Sequence, residues 1–217
     1  MNSATVTGTD RLVATLEAHP VVAILRAGTA DHLVPAAEVL ADAGIRALEF
    51  PLTTPGALDA VRELRELRGR RPGLLVGAGT VVTPADAEGA VDAGAEFLVA
   101  PCTRPDTLAV AAGAGVPMMP GAFTATEVCL ALEHGAEVVK LFPATLGPAY
   151  LAALRAPLPA ARLVPTGGVG IDAIPDFLRA GAFAVALGSP LVGDALQTGD
   201  FAALAQRARR AVEAGSR

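Results

Sequence analysis

Short apolar runs alternate with longer amphipathic stretches along the chain. Eight runs have the length and turn-bounded setting of buried strands: Val21–Leu25, Ala47–Phe50, Leu74–Ala78, Phe97–Ala100, Pro117–Met119, Val138–Phe142, Arg162–Pro165 and Ala184–Leu187. Helical patterns fill the gaps, among them Asp31–Ala43, Pro55–Leu67 and Pro84–Ala93, with Thr54 and Thr83 as N-caps ahead of prolines at the first helical position. A further helix, Asp10–Ala18, precedes the first strand.

One junction recurs. A helical stretch ends at a glycine and an apolar run follows almost at once, as in Ala41–Phe50, Val91–Ala100, Leu132–Lys140 and Arg179–Gly188. Such a glycine fits a left-handed helix C-cap leading into a tight αβ loop. Shared supersecondary grammar accounts for the repetition without gene duplication. Eight strands alternating with helices predict an α/β fold, a TIM (β/α)8 barrel spanning residues 1–217 as a single domain, with the N-terminal helix covering the barrel floor.

Composition sharpens this. Hydrophobic residues make up 52% and aromatics 4% with no Trp, so Ala, Val and Leu must fill the core, as suits layered parallel strands under helices. A net charge of -5 argues against a nucleic-acid partner, and an anionic substrate must be held by local donors. The first residues lack a basic stretch followed by an apolar one, so a cytoplasmic protein is expected. Residues 107–126 carry no charge, but Gly113, Gly115, Pro117, Pro120 and Gly121 break them, and no membrane association is expected. Cys102 and Cys129 form no CxxC pair, so reduced thiols and no metal site are expected.

In a TIM barrel, catalytic groups sit at the C-terminal strand ends. Here those ends carry Arg26, Glu49, Gly79-Thr80, Pro101, Lys140 with Phe142, Thr166-Gly167-Gly168 and Gly188-Ser189. Lys140 is the only lysine among 17 Lys and Arg residues, and it lies in an apolar strand. A bias toward arginine explains the scarcity but not the location, because lysine is almost never buried unless paired. A neutral amine can attack a carbonyl, whereas a guanidinium cannot. Glu49, alone an even choice between a structural and a catalytic carboxylate, gains weight beside that lysine because imine chemistry needs a proton shuttle. The glycine turns after the last two strands form the usual barrel phosphate site, although glycine pairs are common and each alone is weak. Gly77-Ala-Gly-Thr80 lacks the third glycine of a dinucleotide fingerprint and need only be a tight turn presenting Thr80.

Other polar features read as structural. His134 precedes a glycine at a helix end, where a dipole interaction is expected, and His19 and His32 have no partner carboxylate in motif. The charged stretch Arg62–Arg71 reads as a solvated helix face.

Taken together, the segments Ala23–Ala27, Leu48–Thr53, Val76–Thr80, Pro120–Thr124, Val139–Pro143, Val164–Gly168 and Leu187–Ser189 make the chain resemble the class I 2-keto-3-deoxy-6-phosphogluconate (KDPG) and 4-hydroxy-2-oxoglutarate (KHG) aldolase family. The resemblance implies Lys140 as Schiff-base lysine and Glu49 as general acid/base, with Thr80, Pro101 and Phe142 lining the pyruvyl pocket. It also implies that Thr166, Gly167, Gly168, Gly188 and Ser189 hold the distal phosphate of a phosphorylated keto acid. No cofactor is implied, and family members are typically homotrimers. Many members carry, four residues after the glutamate, an arginine that reads the substrate carboxylate. Here that substrate-contacting position is Thr53, and Arg26 resembles a second branch in which the neighbouring strand end supplies the arginine. Galactonate-type relatives also lack the strand-two arginine, so the sugar epimer stays open. Two rivals remain: a phosphosugar isomerase in which Lys140 is an electrostatic clamp, and a non-catalytic binding barrel, which Thr53 in place of arginine favours.

Overall fold

The computed structural model describes residues 7–64 and 73–216. It alternates strands and helices in the order α1 (Gly8–Ala18), β1 (Val21–Ile24), α2 (Leu33–Asp42), β2 (Ala47–Pro51), α3 (Ala57–Glu63), β3 (Leu75–Gly79), α4 (Pro84–Asp92), β4 (Leu98–Val99), α5 (Pro105–Gly113), β5 (Met118–Met119), β6 (Gly121–Ala122), α6 (Ala125–Glu133), β7 (Val138–Leu141), α7 (Gly147–Arg155) and β8 (Arg162–Pro165). A 3-10 turn (Ile171–Ala173), α8 (Ile174–Arg179), β9 (Val185–Leu187), α9 (Ser189–Val192), α10 (Ala195–Thr198) and α11 (Phe201–Gly215) complete it. The charged stretch from residue 65 onward lies outside the described residues, as does the predicted end of the third helix.

All strand pairs are parallel, in a six-stranded sheet of order β5-β4-β3-β2-β1-β9 and a three-stranded sheet β6-β7-β8. Only Pro120 separates β5 from β6; its missing N–H interrupts the ladder, while its carbonyl still accepts from Lys140 N at 2.9 Å. The predicted fifth strand therefore continues beyond Pro120, where a break was expected. On the other side, a bridge pairs Thr166 with Ala186, and Phe183 N donates to Leu163 O at 2.9 Å. The result is a curled, TIM-like α/β fold.

Both faces of the strands are buried, for different reasons. Val22, Ile24, Ala47, Leu75, Phe97, Val99, Met119, Val138, Val164, Ala184 and Ala186 form one cluster, which also takes in Leu12 and Leu16 of α1. Alternate positions such as Ala23, Leu48, Val76, Leu98, Val139, Leu163 and Val185 join the larger core with the helices. The period-two alternation of a strand thus separates an inner row from an outer one.

Local signals set the helix starts. Thr83 caps α4 as expected, its side chain accepting from Asp86 N while Asp86 reaches back to the Thr83 backbone. The same reciprocal box, Thr7 with Asp10, starts α1 earlier than predicted. Thr54 does not cap α3. The helix begins after Gly56, whose φ of 73° suits a residue without a Cβ, and the buried Thr54 hydroxyl accepts instead from Ala27 N at 3.1 Å. A threonine before proline is a local signal that could not reveal a backbone donor 27 residues away.

Candidate active site

Extending the inner rows past the strand ends positions the site. Val22 and Ile24 lead to Arg26, Ala47 to Glu49, Phe97 and Val99 to Pro101, Val138 to Lys140 and Phe142, Val164 to Thr166, and Ala184 and Ala186 to Gly188. All those endpoints line one cavity of about 320 Å³, together with Thr80, Gly167, Gly168 and Ser189. Every candidate except Thr53 therefore borders the same space. Thr53 stands outside the lining but accepts from Arg26 Nη1 at 2.6 Å.

Lys140 and Glu49 occupy the deep end. Lys140 is 6% exposed and lies between Gly121 of β6 and Val164 of β8 in register. Its Nζ sits 5.0 Å from the centroid of the Phe142 ring, within range of a cation–π contact when protonated. Glu49 is 1% exposed, with Ile24 and Gly77 beside it on the neighbouring strands. Neither of its carboxylate oxygens has a hydrogen-bond partner. Burial drives its pKa up, and the charges of Lys140 and Arg26 pull it only part of the way back. A buried carboxyl without donors is costly, so its retention needs a reason beyond packing.

Glycines make the room. A Cβ on Gly79 would stand 2.0 Å from Glu49 Oε1, and one on Gly121 would stand 2.2 Å from the Pro101 carbonyl oxygen. Next to Gly79, Thr80 has φ of 59°, the only positive value among described non-glycine residues. For a β-branched side chain this is strained, and such strain gathers at functional sites. Its hydroxyl accepts from Arg26 Nη2 at 3.3 Å.

The outer end is built from backbone. Gly167 and Gly168 both have left-handed φ, 78° and 86°. Among the described residues, the amides of Gly167, Gly168, Gly188 and Ser189 donate to no backbone carbonyl. Unspent N–H groups on residues that line a cavity suit an anion. The cavity's cationic residues are Arg26 and Lys140, whose charges both act on Glu49.

Sequence reasoning did not name Ile24, Val169, Ala186, Pro190 or Val192, which also line the cavity. Ile24 and Ala186 were findable, since each precedes a named residue by two in an inner row. The histidines stand apart: His134 and His19 end α6 and α1, and His32 approaches Leu196 O at 3.3 Å and the edge of Phe201. A second cavity of about 390 Å³ opens at the N-terminal strand ends, lined by Thr7, Thr9, His134 and Glu137 among others. Its carboxylate is paired with Arg162 at 3.0 Å, and no lysine reaches it.

Residues 12–207 match the KDPG and KHG aldolase family. The chain belongs to that family. The 2-dehydro-3-deoxy-phosphogluconate aldolase of Pseudomonas aeruginosa is 38% identical over 197 residues, 89% of this chain and 87% of the relative. A solved native KDPGal structure superposes with a TM-score of 0.83 at 32% identity, covering 90% of this chain and 93% of that one. KDPG aldolase from Legionella pneumophila, solved with pyruvate captured as a covalent carbinolamine intermediate, gives 0.80 at 27% identity, covering 92% and 97%.

Membership makes this protein a carbon–carbon lyase. The cavity brings together in one space an amine, a carboxyl with raised pKa, a guanidinium and a stretch of amides that donate to no backbone carbonyl.

Proposed function

We propose that the protein cleaves KDPG to pyruvate and glyceraldehyde 3-phosphate through an imine on Lys140. The observation that carries this reading is the burial of the sole lysine and of Glu49 against one cavity. Neutral Lys140 adds to the C2 ketone, and loss of water from the carbinolamine leaves an iminium. Glu49 removes the C4 hydroxyl proton. The C3–C4 electron pair then moves into the iminium, giving an enamine and releasing the aldehyde. Protonation at C3 and hydrolysis of the imine free pyruvate and restore the amine.

In this reading Arg26 binds the keto-acid carboxylate, and Thr80, Pro101 and Phe142 enclose the pyruvyl carbons. Thr166, Gly167, Gly168, Gly188 and Ser189 hold the distal phosphate. The fold completes a (β/α)8 barrel with α1 as its floor, supported by Leu12 and Leu16 sharing the inner cluster. A cytoplasmic homotrimer is the expected state. No described helix is long and apolar enough to cross a membrane.

Borohydride reduction in the presence of pyruvate tests the mechanism. One three-carbon unit should be fixed on Lys140 by peptide mass spectrometry, and Lys140→Arg should be inactive despite its charge. Unlabelled protein, or an active arginine variant, points instead to an electrostatic clamp. Thr53 in place of arginine favours a second substrate, the galactonate epimer. Single-turnover rates on the two phosphosugar acids decide between them.

A further inference from the structure

We infer that Thr53 is a positioning residue, whose hydroxyl sets the Arg26 guanidinium in the orientation that receives the substrate carboxylate. The inference rests on the proposal that Arg26 binds that carboxylate. Arg26 is exposed and lies just beyond the end of β1, so packing does not fix its head group. Two hydroxyls hold it instead. Nη1 donates to Thr53 Oγ1 at 2.6 Å and Nη2 to Thr80 Oγ1 at 3.3 Å, so acceptors beyond the ends of β2 and β3 grip both terminal nitrogens. A guanidinium has five N–H groups, so Nε–H and one on each terminal nitrogen remain for a ligand.

The grip extends to the backbone. Thr54 is 2% exposed, and its hydroxyl accepts from the amide of Ala27, the residue after Arg26. Consecutive threonines thus hold the main chain beside Arg26 and its head group. Thr53 itself is exposed and lines no part of the cavity, so its hydroxyl has no packing task to explain it. A cation at this position would face Arg26 donor to donor, where threonine supplies an acceptor.

The test compares Arg26→Ala, Thr53→Val, Thr53→Ser and the Arg26→Ala/Thr53→Val double variant, reading pyruvate C3 proton exchange and phosphosugar cleavage. Thr53→Val should raise KM for pyruvate by about three- to tenfold, the scale of one ordinary hydrogen bond lost at an exposed position, with kcat little changed. Serine should restore KM, the melting temperature of Thr53→Val should match the parent, and valine should add nothing once Arg26 is alanine. If Arg26→Ala leaves KM unchanged, the carboxylate assignment falls and this inference falls with it. If Arg26→Ala raises KM but Thr53→Val does not, or valine acts equally without Arg26, the positioning role alone is overturned.

Discussion

Glu49 and Gly79 are fitted to each other across adjacent strands: the space where a side chain at Gly79 would begin is taken by the Glu49 carboxyl, 2.0 Å from the ideal Cβ position. Gly79 pairs with Pro51 in the β2–β3 register, two residues beyond Glu49, and its Cβ would also come within 2.6 Å of Glu49 Cγ. The glycine therefore leaves the room that the Glu49 carboxyl occupies.

Gly79→Ala should expel the Glu49 carboxyl from its place and reduce turnover on the order of 10²-fold, as loss of an acid/base group does. The fold should persist, because the conflict is with a side chain that can change rotamer. Circular dichroism and steady-state kinetics on one preparation check both halves. Full activity would show that Glu49 works from another rotamer.

Glu49→Gln should lose on the order of 10² to 10⁴ in turnover while still binding pyruvate. Its stability has a definite sign. Burial raises the folded-state pKa above the ordinary carboxyl value of 4.5, so the unfolded chain releases this proton first as pH rises. The contribution of Glu49 to stability is then fully present below about 4.5 and is lost as pH climbs from there through the higher folded-state value. Glutamine does not titrate. The melting-temperature advantage of Glu49→Gln should therefore widen from pH 4 toward neutrality, and a constant difference would contradict a raised pKa.

Much of this site was legible because strand alternation carries an inner row past each strand end, and Arg26, Glu49, Lys140 and Thr166 fall on such rows. Lys140 stood out by rarity in an apolar run. What stayed hidden depends on groups distant in sequence. Thr54 looked like a helix cap because its neighbours have cap chemistry, yet its partner is Ala27. Likewise, Gly79 reads as an ordinary turn glycine until Glu49 is seen to occupy its side-chain space. The continuation of the fifth strand was obscured by Pro120, which cannot donate to the ladder but still presents a carbonyl to Lys140.

Thr80→Gly separates stability from function. Glycine adopts a φ of 59° without steric cost, so relief of strain, less the extra entropy of an unfolded glycine, should leave the variant more stable by about 1 kcal/mol. At the same time Arg26 loses the Nη2 acceptor, and KM for pyruvate should rise. Denaturant unfolding and pyruvate exchange measure the two effects. A less stable variant would mean that Thr80 contributes more through contacts than its conformation costs.

Ser189→Asp addresses the outer wall. Ser189 is exposed and begins α9, where a carboxylate is electrostatically favourable, so the substitution should leave folding intact. A bound phosphate, however, would meet a like charge beside the amides of Gly167, Gly168 and Gly188. KM for the phosphosugar acid should rise at least tenfold, since like charges in contact near a protein surface repel by more than about 1.4 kcal/mol. Pyruvate exchange should stay near the parental rate, because pyruvate has no distal group. Arg26→Ala should impair both reactions, because both substrates carry the carboxylate. If Ser189→Asp instead slows pyruvate exchange as much as phosphosugar cleavage, its effect is on the shape of the site, and the free amides of the outer wall do not hold the phosphate.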